Sequence, residues 1–515
     1  MEIAGGEPSD GKLLQAGDGT EFPRIVIVGA GISGLCLAIR LKQAGIHSFT
    51  ILEKSDEVGG TWLDNSYPGC GCDVPSILYS YSFAPKCDWS RKFSPQSEIL
   101  GYFRQCADRF DVRRHIRFDT SVTAASWDAE SLQWRIETAR GEELVADVFV
   151  SAVGQLSRPQ VPPLEGLKSF AGPAFHSARW ERDFEVAGRN IAVVGNGASA
   201  IQLIPQLAKR AKKVFIFQRS PNWIVHRHDY AYPRFVQAMF RWVPGVARLQ
   251  RYWTYLAYES RILLYKRRSW LNNGFTWWAR RSMLRKLPGH LQDHVIPRFP
   301  AGCKRVLLSN DYLECLHREN VQLVTEEIRR VVPDGIETDR GLTPVDSIVF
   351  ATGFQANRFL YPMQITGRDN LDLDRLWQTR PRTYLGMMSP GFPNFFMLYG
   401  PNTNLGHNSI IFMVECQVNY LLRCVRALVR RGDQALEVRE SVVEQFDRQL
   451  QDHLREKVWN GYVASWYKTP EGHIVNNWGG STLAYWWMTR KPDWQAFQFA
   501  GRPSHSPTQT TASVA

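Results

Sequence analysis

Nine cysteines are present, but no two are spaced as a CxxC pair. The nearest, Cys70 and Cys72, are too close for an ordinary bridge. That absence argues against a dithiol redox centre, and a reduced, cytoplasmic chain is expected. No run of about 18 apolar residues occurs, so no spanning helix is expected. The first twenty-odd residues lack a basic start followed by an apolar run, so they do not read as a secretory signal. The stretches 1–21 and 501–515 are poor in core-forming residues and are expected to be disordered tails. Acids are in deficit, 50 Asp and Glu against 62 Lys and Arg, for a net charge of +12. The deficit is local: between Ala231 and Pro300, thirteen Lys and Arg face only Glu259 and Asp293.

What is present points to nucleotides. With 515 residues, 44% of them apolar, the chain can build two or three cores. Arg24 to Val28 reads RIVIV, a buried parallel strand. It runs into Gly29-Ala30-Gly31-Ile32-Ser33-Gly34 and then a helical pattern. The first glycine permits the tight turn, the second lets backbone approach a pyrophosphate, and the third lets helix and strand pack closely. Glu53 ends the next strand, nineteen residues beyond Gly34, where an acid takes a ribose hydroxyl.

The pattern recurs. The strand from Asn190 to Val194 leads to Gly195-Asn196-Gly197-Ala198-Ser199-Ala200, and Gln202, on the helix that follows, is expected with this turn at the second nucleotide. The next strand, Val214 to Gln218, ends at Arg219, not at an acid. A carboxylate would repel a 2′-phosphate, whereas a guanidinium holds one in bidentate fashion. The first turn therefore suits a dinucleotide with free ribose hydroxyls, and the second suits NADPH. The common pairing for two such sites is NADPH with FAD. The fold class expected is α/β, with two Rossmann-like dinucleotide-binding domains. The second is inserted in the first and carries a helical insertion. The boundaries expected are 22–158 for the first FAD part, 159–343 for the NADPH domain with the insertion at 231–300, and 344–500 for the second FAD part. The strand Ser347 to Phe350, before Thr352-Gly353, is expected to return to the FAD domain.

Further segments narrow the class. Gly59-Gly60-Thr61-Trp62 leads through Tyr67-Pro68-Gly69 to Asp73. Phe170, Gly172, His176 and Trp180 are spaced as FxGxxxHxxxW. Lys304-Arg305, Ala351-Thr352-Gly353-Phe354, Arg382-Thr383-Tyr384-Leu385-Gly386 and Ala464-Ser465-Trp466-Tyr467 complete the set. On these residues the chain resembles the type I Baeyer–Villiger monooxygenases, class B flavoprotein monooxygenases, from about Phe22 to Gly400. The fingerprint usually closes with Pro or Asp, where Glu181 stands here.

The resemblance implies an NADPH-dependent enzyme that inserts one oxygen of O2 into a ketone through a C4a-peroxyflavin, giving an ester or lactone. It implies Arg305 as the catalytic cation and Asp73 as its positioning partner. It also implies that Thr61, Trp62, Asp73 and Asn402 lie at FAD, and that Lys304 joins Arg219 on NADPH. Asp73 has a second reading, as a helix N-cap before Pro75. His176 reads as a hydrogen-bonder in the strap between domains rather than as a general base. The alternative activity is an N- or S-oxygenating flavin monooxygenase. A flavin-carrying binding protein is the non-enzymatic rival, opposed by the intact cofactor turns.

The segment 231–300 is both basic and aromatic, with Trp242, Trp253, Trp270, Trp277 and Trp278. One reading is a helical cover with its aromatic face on the substrate pocket and its Arg face solvated. A second lays it on an anionic membrane surface. A protein partner or an acidic substrate is a third, and nucleic acid is not expected. The sequence carries no signature of oligomeric state, and it does not select the ketone.

Overall fold

The computed structural model describes residues 22–461 and 465–501. The expected tails 1–21 and 501–515, but for Gly501, and Ala464 of the late motif lie outside the described residues.

Two five-stranded parallel sheets form the frame. The first runs Phe395–Met397, Val148–Ser151, Ile25–Val28, Phe49–Leu52, Ile116–Arg117. The second runs Val321–Val324, Lys213–Phe217, Asn190–Val194, Ser347–Phe350, Ala174–His176. In each, the strand before the glycine turn is flanked by the next strand on one side and a later strand on the other. A crevice therefore opens at the carboxyl ends, where nucleotides bind in such sheets. All four residues of Ile25–Val28 and of Ser347–Phe350 are buried. Burial on both faces is why these strands are continuous apolar runs rather than alternating ones.

One sequence expectation is corrected here. Ser347–Phe350 does not return to the first sheet. It pairs in parallel with Asn190–Val194 and with Ala174–His176, inside the second sheet. The return to the first sheet is made by Phe395–Met397, which pairs with Val148–Ser151. Both late strands are short, buried and apolar, so composition alone could not assign them. The second unit thus extends past residue 343, at least to Phe350.

Beyond the sheets, the helix Ile410–Arg431 packs on the first glycine-turn helix, Ile32–Gln43. Ser409 caps its start through the Ile411 N–H, and Gly432 ends it in the left-handed region at φ +70°.

The insertion is helical, as expected: Arg234–Trp242, Val246–Glu259, a 3₁₀ stretch Ser260–Tyr265, then Trp270–Leu284. Its orientation differs from the cover reading. Trp242 is 73% exposed, Trp253 60%, Trp270 80% and Trp277 64%. Arg251 turns inward instead, donating to Ile77 O at 2.8 Å and to Ser80 O at 2.9 Å. A guanidinium satisfies several backbone carbonyls at once, so it anchors the helix where an apolar side chain would leave them unpaired.

Candidate active site

The first glycine turn fits a dinucleotide by its own geometry. Gly29 has φ +105°, and a Cβ there would lie 2.8 Å from Ala152 O. A Cβ on Gly34 would lie 1.9 Å from Gly29 O, so helix and strand meet with no room for a side chain. The helix begins at Ile32 with Gly31 as N-cap, no side-chain cap and no acid in the first turn. Its leading N–H groups are left for an anionic ligand. Glu53 is buried at the strand end, accepting from Ala30 N at 2.6 Å and Ser55 N at 2.9 Å. A Cβ on Gly60 would lie 3.1 Å from Gly31 Cα, so Gly59-Gly60-Thr61 lies against this turn and Thr61 is exposed beside it. These features fit FAD, with Glu53 for the ribose and the helix start for the pyrophosphate.

The second turn is built alike. Gly195 has φ +109°, with a Cβ position 2.5 Å from Ala351 O. The helix Ala198–Leu207 starts after Gly197 with no side-chain cap. Asn196 is held by Gln218 Oε1 at 2.7 Å and Ser220 O at 3.0 Å, which fixes the turn. Ser199 lies in the first turn of that helix. At the end of the next strand Arg219 is exposed, with no ion-pair partner among the described residues. Lys304 donates to Ser220 Oγ at 2.7 Å. Burial and then the Arg219 charge hold the Lys304 ammonium below its usual range. Two cations that repel each other, with no carboxylate between them, call for an anion such as a 2′-phosphate. NADPH fits this site.

Between these sites lies the pair expected to do the chemistry. Arg305 Nη2 donates to Asp73 Oδ2 at 2.6 Å and Arg305 Nε donates to the same oxygen at 2.9 Å. Both side chains are about a quarter exposed, at 27% and 25%. The Asp73 charge raises Arg305 still further above its ordinary range, so it is a permanent cation. Asp73 is not a helix cap: the 3₁₀ turn Ser76–Leu78 has Pro75 at its N-cap position and no side-chain cap.

Sequence reasoning missed three buried tyrosines near enough to feel the Arg305 charge. Burial pushes the hydroxyls of Tyr265, Tyr399 and Tyr467 upward, and the Arg305 charge pulls each partway back. All three remain neutral near pH 7. Tyr265 donates to Gly406 O at 2.7 Å, and Tyr399 donates to Asn404 Oδ1 at 2.6 Å. Tyr467 stood in a recognised segment, but Tyr265 comes from the insertion, where no spacing marks it. Trp62 is buried, with Nε1 donating to Tyr79 Oη at 3.3 Å.

Asn402 is buried and donates to Ile474 O at 2.9 Å and Asn477 O at 3.2 Å. It ties the loop after Gly400 to the late segment that carries Tyr467. A second missed cluster is Glu259, which accepts from Thr482 N at 2.6 Å, Thr482 Oγ1 at 2.7 Å and Asn408 Nδ2 at 2.8 Å. Burial opposes its charge, but His407 and Thr482 outweigh that and pull its carboxyl to about 2. Glu259 thus fastens the insertion to the loop beside Asn402.

The fingerprint residues, expected in a strap between the domains, instead lie on and beside the edge strand Ala174–His176 of the second sheet. A Cβ on Gly172 would lie 2.2 Å from Asp346 O, so this close approach requires glycine. Phe170 packs in the second core and Trp180 packs edge-on against Phe175 at 5.3 Å. His176 Nδ1 accepts from Ala178 N at 3.1 Å, so Nε2 carries the proton and donates to Gly353 O at 3.0 Å. Burial lowers its pKa to about 4, which keeps it neutral. It is a hydrogen-bonder at the end of this edge strand. Glu181 is exposed, and it is Arg179 that reaches the first unit, pairing with Asp64 at 3.1 Å. Gln202, expected near NADPH, accepts from Tyr67 Oη at 2.9 Å and donates to Gly71 O at 3.0 Å. The structure uses it as a clasp between the two units.

Known proteins show the same plan. Residues 23–364 match the family described as flavin-binding monooxygenase-like. A Baeyer–Villiger monooxygenase of Streptomyces coelicolor is 39% identical, over 96% of this chain and 95% of that protein. The crystal structure of OTEMO in complex with FAD and NADP aligns with a TM-score of 0.84 at 27% identity, covering 93% of this chain and 100% of the other. An oxidised steroid monooxygenase bound to NADP aligns with a TM-score of 0.83 at 30% identity, covering 93% of this chain and 99% of the other. The fold and nearly the whole length of the chain are thus shared with these proteins, and this chain belongs to the flavin-binding monooxygenase-like family as a type I Baeyer–Villiger monooxygenase.

Proposed function

We propose that this protein is an FAD- and NADPH-dependent monooxygenase that converts a ketone to an ester or lactone, with Arg305 as its catalytic cation and Asp73 positioning it. The balance is one ketone, O2, NADPH and a proton to ester, NADP⁺ and water. The single observation that carries the residue assignment is the two-point contact of Arg305 with Asp73. When bound, flavin supplies the oxygen activation and NADPH supplies the hydride.

The chain's own groups then have definite tasks. Glu53 takes the FAD ribose hydroxyl, while the uncapped helix start after Gly31 faces the FAD pyrophosphate. Thr61, Trp62 and Asn402 hold the FAD side of the crevice. Gly195, Asn196, Gly197, Ala198 and Ser199 form the NADPH turn, with Arg219 and Lys304 on the 2′-phosphate. Arg305 stabilises the negative charge that develops on the carbonyl oxygen of the ketone. A preorganised donor of this kind contributes on the order of 10²–10³ in rate. Asp73 orients the guanidinium and keeps it charged. Tyr265, Tyr399 and Tyr467 exclude water around it, which strengthens the interaction. His176, Gln202 and the Arg179–Asp64 pair govern how the two units close as NADP moves.

The test is NADPH consumption over a panel of cyclic, linear and bulky ketones, amines and sulfides, with products identified. Ester or lactone from a ketone supports the reading. Oxidised amines or sulfides, with every ketone inert, overturn it in favour of heteroatom oxygenation.

A further inference from the structure

Trp270 is 80% exposed, although tryptophan is among the costliest side chains to leave in water. It stands at the rim of a groove of about 770 Å³ between the insertion and the late helices Glu440–Arg455 and Thr482–Thr489. The groove contains neither Arg305 nor Asp73, so it is separate from the reaction centre. Its walls are largely apolar, with Leu263, Phe446, Leu450 and Met488 among them. Its charged members are all basic: Lys266, Arg267, Arg268 and Lys457, with no Asp or Glu in the lining.

These cations are not satisfied within the chain. None of the four makes an ion pair among the described residues. Lys457 is only 8% exposed, yet its Nζ has no hydrogen bond or ion pair there, its neighbour Glu456 included. The stem of Lys457 is buried while its ammonium opens on the groove without a partner, so the groove presents four uncompensated positive charges to whatever meets it. Around it the apolar groups turn outward instead of closing the groove: Leu263 is 58% exposed, Met488 39%, and the adjacent Trp487 64%.

We propose that this face docks on an anionic phospholipid bilayer, with Trp270, Trp487, Leu263 and Met488 entering the interfacial zone and Lys266, Arg267, Arg268 and Lys457 meeting the lipid phosphates. Aromatic rings with a polar edge favour the headgroup level, and long basic side chains extend to phosphates while their stems stay in the apolar layer. The chemistry disfavours other occupants. A two-fold contact with a second copy would set this patch against itself, bringing like charges together. Nucleic acid would match the charges but not the apolar walls. A soluble amphiphile would fill the groove but leave Trp270 and Trp487 in water.

The experiment is co-sedimentation of the full-length flavin-loaded protein with vesicles of phosphatidylcholine alone, and of phosphatidylcholine mixed with phosphatidylglycerol. Binding to the mixed vesicles is expected, weakened by salt, with little to the neutral ones. A Lys266→Gln/Arg268→Gln variant should bind about thirtyfold more weakly, from about 1 kcal/mol per basic residue at such a surface. Trp270→Ser/Met488→Ser should also lose binding. Both variants should keep the flavin spectrum and the rate of flavin reduction by NADPH, which shows that they fold. Equal binding to both vesicle types, no binding to either, or unaltered binding by both variants overturns the proposal. So does a monomer–dimer equilibrium abolished by the same substitutions, or displacement from vesicles by a short oligonucleotide at matched phosphate concentration.

Discussion

Arg305 and Asp73 lie 232 positions apart in sequence, yet two guanidinium nitrogens converge on one carboxylate oxygen at 2.6 and 2.9 Å. The segment after the first glycine turn supplies the acid, and the segment after the insertion supplies the cation. Arg305→Ala is expected to lower ester formation by on the order of 10²–10³ while leaving NADPH-driven flavin reduction near the parent rate. Stopped-flow absorbance of the flavin and product analysis separate the two steps. Parent-level ester formation would remove Arg305 from the chemistry.

At the NADPH end, Arg219→Ala and Lys304→Ala should each raise the KM for NADPH by roughly tenfold, the usual size of one charge-assisted contact. Neither should change the KM for NADH, which has no 2′-phosphate. Steady-state kinetics with both cofactors gives the answer. If the preference for NADPH survives both substitutions, the phosphate is held elsewhere.

Gly34→Ala places a methyl group where the space to Gly29 O is 1.9 Å. The helix start must then move away from the strand, spoiling the pyrophosphate cradle. Purified Gly34→Ala protein is expected to have lost most of its flavin, read from the visible spectrum. Parent flavin content would show that the turn tolerates displacement.

His176 gives a pH signature. Burial lowers its pKa from 6.5 to about 4 in the folded chain. Between those values the unfolded state binds the proton and the folded state does not, so stability falls as pH drops through the window. His176→Gln cannot titrate and retains a donor for Gly353 O. Urea unfolding at pH 7 and pH 5 should show a smaller stability loss for the variant than for the parent. Equal losses would mean that His176 does not carry this linkage.

How much of this was legible in the chain varies with the range of the interaction. Gly29, Gly31 and Gly34, with Glu53 at the next strand end, reveal a nucleotide turn because each requirement is local. A backbone angle, a helix start and a strand length fit within thirty-odd residues. Arg219 reads correctly as an exposed cation at a strand end for the same reason. Gln202 does not, because nothing near it in sequence announces Tyr67 and Gly71. The tryptophans of the insertion could be read either as a cover over a pocket or as an outward surface, and the sequence did not choose between them. Apolar spacing marks one face of a helix but does not say whether that face finds a partner.

The sequence by itself determined two dinucleotide turns, the exposed cation that ends the second, and the family. Those properties rest on steric and charge rules acting over short stretches. Tertiary structure decided that Ser347–Phe350 joins the second sheet, that Tyr265 of the insertion reaches Gly406, and that Arg251 rather than tryptophan faces inward. These outcomes depend on which buried strand finds which edge and which polar groups need partners when distant segments meet. Hydrophobic burial is non-directional, so an apolar run specifies that it is inside but not beside what.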